Sequence, residues 1–291
     1  MPELPEIEVT RRCIAPHLLG RRIRRATTTS DSYVFLTGPR VLRGRLRGRT
    51  FRELSRHGKY LVADLDDGRR LLIHLGMTGQ LFCAAATSVR LLAASTRLAL
   101  SPEEQPQFRP DTHTHLRLEF DDPGPDVFFR DVRKFGKLML LEPGQSTERL
   151  DRLGPDALEV HGDLLFRASR KRAVPIKQLL LDQSLIAGVG NIYADEALFL
   201  SGVRPGRRAA RLTRSESDKL AKAVVRVLRR SIETGGSSIR DYVAPDGSDG
   251  SYQLERHVYA RTGEPCFRCG SPIRKRVIAQ RGTHYCPSCQ S

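Results

Sequence analysis

Long apolar runs are missing from this chain of 291 residues. No stretch approaches the roughly 20 residues that a bilayer crossing needs. The N-terminus lacks the basic-then-apolar pattern of a secretory signal, so the expectation is a soluble, intracellular protein. No internal repeat is visible. Cysteine is sparse: of six in all, four cluster near the C-terminus. Cys13 and Cys83 stand alone and are expected to be reduced, packed as small apolar residues. Acidic residues are in short supply, with 33 Asp+Glu against 49 Lys+Arg and a formal net charge of +16. A field of that sign attracts polyanions, nucleic acid first. A solvated basic surface is the plain alternative, and composition does not separate the two.

Residues 4–19 read as one helix, with Ile7, Ile14, Leu18 and Leu19 sharing a face and Gly20 as the stop. Stretches of β character follow at 22–29, 41–54, 60–65, 70–75, 116–120, 126–130 and 137–141. Turn signals such as Asp66-Asp67-Gly68 separate many of them, which suggests a sandwich or barrel. The Ala/Ser/Leu-rich segment 84–107 interrupts this pattern as an inserted excursion, expected to be partly helical. From 147 to 234 the texture is helical, placing a domain boundary near 143–150. Within it, residues 204–230 carry ten Lys/Arg and two acids; part of that run is the wet face of a helix with Leu220, Val224, Val227 and Leu228 inward. Residues 235–251 read as loop.

Three motifs carry chemistry. At the start, Met1-Pro2-Glu3-Leu4-Pro5-Glu6 would, on loss of Met1, expose Pro2 as a secondary amine able to attack an electrophilic carbon and form an iminium. Glu3 and Glu6 place two carboxylates near it. The same residues also read simply as a helix start, with Pro5 in the first turn and acids at the positive helix end. At the other end, Cys266-x2-Cys269-x16-Cys286-x2-Cys289 matches a four-thiolate zinc site. Four thiolates saturate tetrahedral zinc, so the metal is expected to be structural, one ion holding a hairpin too small to fold on its own core. Between the knuckles lie Arg274, Lys275, Arg276 and Arg281, suited to phosphates. The third motif, residues 182–199, contains Gly188, Gly190 and Asn191, the last read as a helix cap; it suits either a phosphate or an ordinary tight connection. Lys59, His74, Met77, Arg133 and Phe135 sit on or beside turns, and singly each reads as core or surface.

Together these residues resemble the formamidopyrimidine-DNA glycosylase family of base-excision repair, whose relatives include endonuclease VIII. The likeness runs through residues 2–6, 57–60, 74–79, 133–136, Ile176-Lys177, 182–199 and the zinc ribbon with Gln280-Arg281. It implies an α+β multidomain fold: an N-terminal helix plus β-sandwich (1–143), then a helix–two-turns–helix domain (144–250) and a C-terminal zinc finger (251–291), with DNA held in the cleft between. Lys134 stands where many members have a second arginine.

The resemblance also implies a bifunctional glycosylase and apurinic/apyrimidinic lyase that extrudes an oxidised purine from duplex DNA. Pro2 would be the nucleophile, Glu3 the general acid/base and Glu6 a supporting carboxylate that binds the amine or an ordered water. Lys59, Asn191 and Arg281 match phosphate ligands, and Lys177 a lysine near the lesion pocket. His74 belongs to the DNA-contact set through the 74–79 motif. Met77, Arg133 and Phe135 match the trio that fills the void left by the everted base, with an arginine satisfying the orphaned cytosine. That trio and Leu4 favour the 8-oxoguanine branch over the pyrimidine-directed endonuclease VIII branch. A noncatalytic zinc-ribbon DNA-binding protein is the remaining alternative, and it leaves Pro2-Glu3 unexplained. The loop 243–252 corresponds in position to a lesion-capping loop. A monomer is expected, with no membrane contact, acting in the bacterial cytoplasm on the nucleoid.

Overall fold

The computed structural model describes all residues except 1, 85–89, 93–96, 100–109, 171, 238–241, 243 and 246–247. The chain divides into two compact units: Met1–Leu150 with Thr234–Ser251, and Asp151–Glu233 with Tyr252–Ser291.

The first unit begins with α1 (Leu4–Leu18), where Pro5 occupies the first turn and Pro16 removes a donor from the last. Its buried Ile7, Ile14 and Leu18 recur at helical spacing, and each contributes about 1.5–3 kcal/mol when fully buried. Next come β1 (Ile23–Thr28), α2 (Pro39–Leu46), β2 (Phe51–His57), β3 (Tyr60–Leu65), β4 (Arg70–His74), β5 (Gly79–Cys83), β6 (Arg90–Leu92), β7 (Arg97–Ala99), β8 (Thr114–Phe120), β9 (Val127–Asp131) and β10 (Lys137–Leu141), then α3 (Glu148–Asp151) at the junction. Two antiparallel four-stranded sheets, in the orders β1-β8-β9-β5 and β10-β4-β3-β2, form the sandwich. Their inward residues, with those of α1, make one core around Phe51, Leu71, Leu116 and Phe129.

Two local expectations are corrected. Residues 41–54 are not one strand: Pro39 starts α2 after Gly38, and Leu42 and Leu46, one helical turn apart, bury together. In the 84–107 segment, the described portions form the short antiparallel pair β6–β7 and not a helix; the rest of that segment lies outside the described residues.

The second unit holds α4 (Gly162–Ser169), α5 (Ile176–Leu181), α6 (Asn191–Ser201) and α7 (Arg214–Glu233), then the hairpin β11 (Arg274–Ile278) and β12 (Arg281–Tyr285). Helix α6 is buried almost throughout, and Phe199 on it packs with Val258, Cys266, Ile273 and Cys286 in a small core of its own. Among the described residues no helix is long and apolar enough to cross a membrane.

Candidate active site and metal centre

Pro2, Glu3 and Glu6 are all buried at the start of α1. Glu3 caps the helix, and its side chain accepts the Glu6 backbone N–H, while the Glu3 N–H donates to Glu6 Oε2 at 2.8 Å. This reciprocal box satisfies two amides that the helix end leaves without partners. The other Glu6 oxygen, Oε1, accepts the Ser237 N–H at 2.9 Å. Tyr242 adds a hydrogen bond from its hydroxyl to the Glu6 carbonyl at 3.0 Å. Glu6 is thus a brace between the helix start and residues 234–251, its carboxylate already taken by two amides. A side chain at Gly236, where φ is +85°, would meet that carboxylate at 3.2 Å.

Lys59 sits in the two-residue turn between β2 and β3, where Gly58 takes φ +55°, a conformation that glycine adopts without strain. Its side chain is buried. Arg56 ties this turn to α1: it donates to the Gly58 carbonyl and to Glu8 Oε2, both at 3.1 Å. Burial alone would push the Glu8 carboxyl up, but hydrogen bonds from Arg11, Arg12 and Arg56 outweigh it and hold the group down at about 2. Glu8 therefore stays ionised, a fixed anchor.

His74 ends β4 with its ring 4.7 Å from that of Tyr60. Burial, then the cations Lys59, Arg149 and Lys137, push its pKa down to about 4. The neutral ring accepts the Gly76 N–H on Nδ1 at 3.2 Å, so His74 holds the turn that presents Met77. Gly76 takes φ +64°, and a Cβ there would lie 2.5 Å from the Phe135 carbonyl carbon. The Met77 turn and the Arg133–Phe135 turn therefore touch backbone to backbone. Phe135 is 47% exposed, and the Arg133 guanidinium lies 4.8 Å from its ring centroid. Lys134 between them takes φ +57°.

Asp131, fully buried, organises both turns. Its Oδ1 accepts the Thr78 hydroxyl at 2.5 Å and the Arg133 N–H at 3.2 Å, and its Oδ2 accepts the Gly136 N–H at 2.7 Å. Nothing in local sequence spacing marks Asp131.

In the second unit Lys177, Asn191 and Arg281 meet at the zinc hairpin. Lys177 is 0% exposed, paired with Asp195 Oδ1 at 2.7 Å. It also donates to the Gly282 carbonyl at 3.0 Å and to Thr283 Oγ1 at 2.9 Å. Asn191 Nδ2 donates to the same Gly282 carbonyl at 3.0 Å. Asn191 is the first residue of α6 and Gly190 its cap, so the expected capping role moves back by one residue. That shift frees the Asn191 side chain to reach the hairpin. Arg281 is exposed, directly after Ala279 and Gln280, which take φ +48° and +59° in the hairpin turn. Lys177 is therefore interior and grips the segment that carries Arg281. Asp195 also accepts the His284 N–H at 2.8 Å, and the buried Glu196 accepts the N–H groups of Val258 and Tyr259, both at 2.9 Å. These two acids of α6 dock the zinc ribbon.

The sulfurs of Cys266, Cys269, Cys286 and Cys289 all lie within 4.8 Å of one another. The Cys266–Cys289 and Cys269–Cys286 pairs are 3.9 and 3.5 Å apart. A tetrahedron with Zn–S bonds of about 2.3 Å has sulfurs about 3.8 Å apart, so the donor set fits zinc and leaves no open position. N–H groups of Arg268 and Cys289 point at the sulfurs of Cys266 and Cys286, each at 3.4 Å. The site is structural, with one zinc ion.

Family models match the chain from end to end: the formamidopyrimidine-DNA glycosylase N-terminal domain over residues 1–138, its H2TH domain over 153–243, and a zinc finger found in FPG and IleRS over 263–291. A formamidopyrimidine-DNA glycosylase of Solibacter usitatus is 40% identical over 100% of this chain and 99% of its own length. A Lactococcus lactis FPG mutant in complex with Fapy-dG-containing DNA superposes with TM-score 0.83 at 35% identity, covering all of both chains. The Lactococcus lactis Fpg in complex with DNA containing an abasic site gives TM-score 0.82 at 34% identity, again over all of both chains.

Proposed function

Because the chain belongs to the formamidopyrimidine-DNA glycosylase family, we propose that Pro2 is the nucleophile of a base-excision-repair glycosylase and apurinic/apyrimidinic lyase that removes oxidised purines, 8-oxoguanine and formamidopyrimidines, from duplex DNA. The damaged nucleotide is extruded from the stack. With Met1 removed, the Pro2 nitrogen attacks the sugar C1′. The base leaves with a proton, the sugar ring opens, and an iminium joins enzyme to DNA. That iminium acidifies the 2′ hydrogens. Loss of one expels the 3′ phosphate, and a second elimination expels the 5′ phosphate, leaving a one-nucleotide gap.

Glu3, next to the nucleophile and fixed by the cap, carries the protons. Glu6 braces it, and Lys59, Asn191 and Arg281 hold phosphates. His74 positions Met77, which with Arg133 and Phe135 fills the vacated stack, and Arg133 pairs with the orphaned cytosine. Lys177 acts through Gly282, whose carbonyl it fixes beside Arg281. Residues 243–252 are the candidate cover for the lesion, with 243 and 246–247 outside the described residues. Zinc, held by Cys266, Cys269, Cys286 and Cys289, maintains the ribbon. A single chain supplies every one of these groups, which supports a monomer; its field of action is the nucleoid in the bacterial cytoplasm.

The observation that carries this reading is the reciprocal Glu3–Glu6 cap beneath Pro2. Its test is borohydride reduction during turnover of an 8-oxoguanine:C duplex. The expected product is a covalent adduct mapped to Pro2 by mass spectrometry; no adduct, or one at another residue, removes the proposed role. Faster cleavage of a thymine-glycol:A duplex would instead transfer the protein to the pyrimidine-directed branch.

A further inference from the structure

The basic surplus includes a concentration that the lesion chemistry does not use. Arg24 and Arg25 of β1, with Arg40, Arg43 and Arg47 of α2 and its C-terminal cap, line a groove of about 860 Å3. All five are exposed. Local structure explains the convergence. Leu42 and Leu46 turn one face of α2 inward, which leaves Arg40, Arg43 and Arg47 on another at i, i+3 and i+7. On β1 the register slips between Ile23 and Arg25, so Arg24 and Arg25 are both exposed where a regular strand would alternate.

These charges are poorly matched from within the protein. Arg24 approaches Glu119 at 3.7 Å, and Arg43 donates to the Thr28 hydroxyl at 3.1 Å. Among the described residues, Arg25, Arg40 and Arg47 form no ion pair. Among the described residues, Glu119 is the only carboxylate lining the groove. Guanidinium groups offer planar forks that match phosphate oxygens two at a time. From Arg40 to Arg47 the helix rises about 10 Å, the axial length of roughly three phosphates on one DNA strand.

The groove is also separate from the lesion-reading turns. Strand β1 forms one edge of its sheet and β5 the other. Arg25 pairs with Glu119, at the end of the sheet where Val127 pairs with Cys83, whereas Met77 and Arg133 leave from the opposite end, where Gly79 pairs with Asp131. The two surfaces occupy diagonal corners, three strand spacings or about 14 Å apart across the sheet alone.

We propose that this arginine groove is a second DNA-binding surface, which takes the phosphodiester backbone of an undamaged duplex while the catalytic site engages another segment. It rests on the DNA-repair reading above. The consequence is transfer between DNA segments without full release.

The test titrates a short undamaged duplex into the full-length zinc-loaded protein and reads stoichiometry by analytical ultracentrifugation. Cleavage of an 8-oxoguanine duplex is followed in parallel. Wild type should carry two duplexes per chain, the weaker one losing affinity about 40-fold between 50 and 200 mM salt, as three phosphate contacts require. The R40A/R43A/R47A variant should carry one and cleave lesions at the wild-type rate, while R40K/R43K/R47K retains two at low salt. One duplex on wild type, two on the alanine variant, or displacement from the groove by inorganic polyphosphate at a far lower phosphate concentration than duplex would overturn the assignment. Loss of cleavage by wild type would instead strike the catalytic reading, with the duplex count still deciding the groove.

Discussion

The Thr78 hydroxyl donates to the Asp131 carboxylate at 2.5 Å, and through that contact the turns carrying Met77 and Arg133 become one piece. A carboxylate that accepts from a hydroxyl and two amides in a dry site gives each bond the strength of a charge-assisted pair. The residues proposed to fill the void would therefore reach DNA on a preformed support, with the cost of ordering them met during folding.

Asp131→Asn should test this support. An amide must turn its NH2 toward one donor, leaving a buried group unsatisfied at about 1–3 kcal/mol. We expect excision of 8-oxoguanine to slow about 10–100-fold by single-turnover kinetics, with borohydride trapping at a preformed abasic site much less affected. Equal losses on both substrates would show that Asp131 does not act through the turns.

Lys177→Met should destabilise the second unit by about 3–5 kcal/mol, since it strands the buried Asp195 charge. Adding Asp195→Asn should recover part of that in urea denaturation. The double variant should still bind duplex DNA weakly, because the Gly282 carbonyl loses its ammonium donor. Wild-type affinity in the double variant would detach Lys177 from the Arg281 segment.

His74 predicts a pH dependence. Burial, reinforced by Lys59, Arg149 and Lys137, lowers its pKa from the ordinary 6.5 to about 4. The unfolded chain binds the proton near 6.5 and the folded one refuses it until about 4. Its stabilising contribution is thus complete above 6.5 and is lost as pH falls to 4, by on the order of 3 kcal/mol at most. His74→Asn keeps an acceptor for Gly76 and should flatten this part of the denaturation-midpoint profile. An identical profile in the variant would remove His74 as its source.

Chelation of zinc should abolish binding of lesion duplex at the catalytic site and leave only the weaker, salt-sensitive duplex of the arginine groove, while the sandwich unit keeps its thermal transition, because Cys266 and Cys286 pack with Phe199 in the second unit's own core. In the zinc-loaded protein, Arg281→Ala should reduce the salt slope of binding by about one phosphate contact. An unchanged slope would take Arg281 off the phosphate set.

The cysteine knuckles and the helix start at Leu4-Pro5 were legible in the sequence because both depend on local spacing. Strands such as 60–65 and 137–141 were legible from apolar patterning between turns. Helix α2 was not, because arginines and Gly44 interrupt its two leucines and weaken the helical period. Asp131, Asp195 and Glu196 were invisible for a different reason. Each takes a partner from far along the chain, Thr78 for Asp131, His284 for Asp195 and Val258 for Glu196, and an isolated acid in a charged chain carries no mark of being buried. Asn191 was placed at the start of its helix but one residue too early, as the cap, since a glycine can cap with its backbone alone.

Glu6 accepts the amide of Ser237, 231 positions further along the chain. At a synthesis rate of 5–20 residues per second, roughly 10–50 s separate the two at the ribosome. A nascent chain would thus hold its amine, its acid and its whole sandwich long before the brace exists. On the proposed mechanism catalytic competence is in this sense deferred, and a truncated product ending before Ser237 would carry the proposed nucleophile while Glu6 lacked its Ser237 partner.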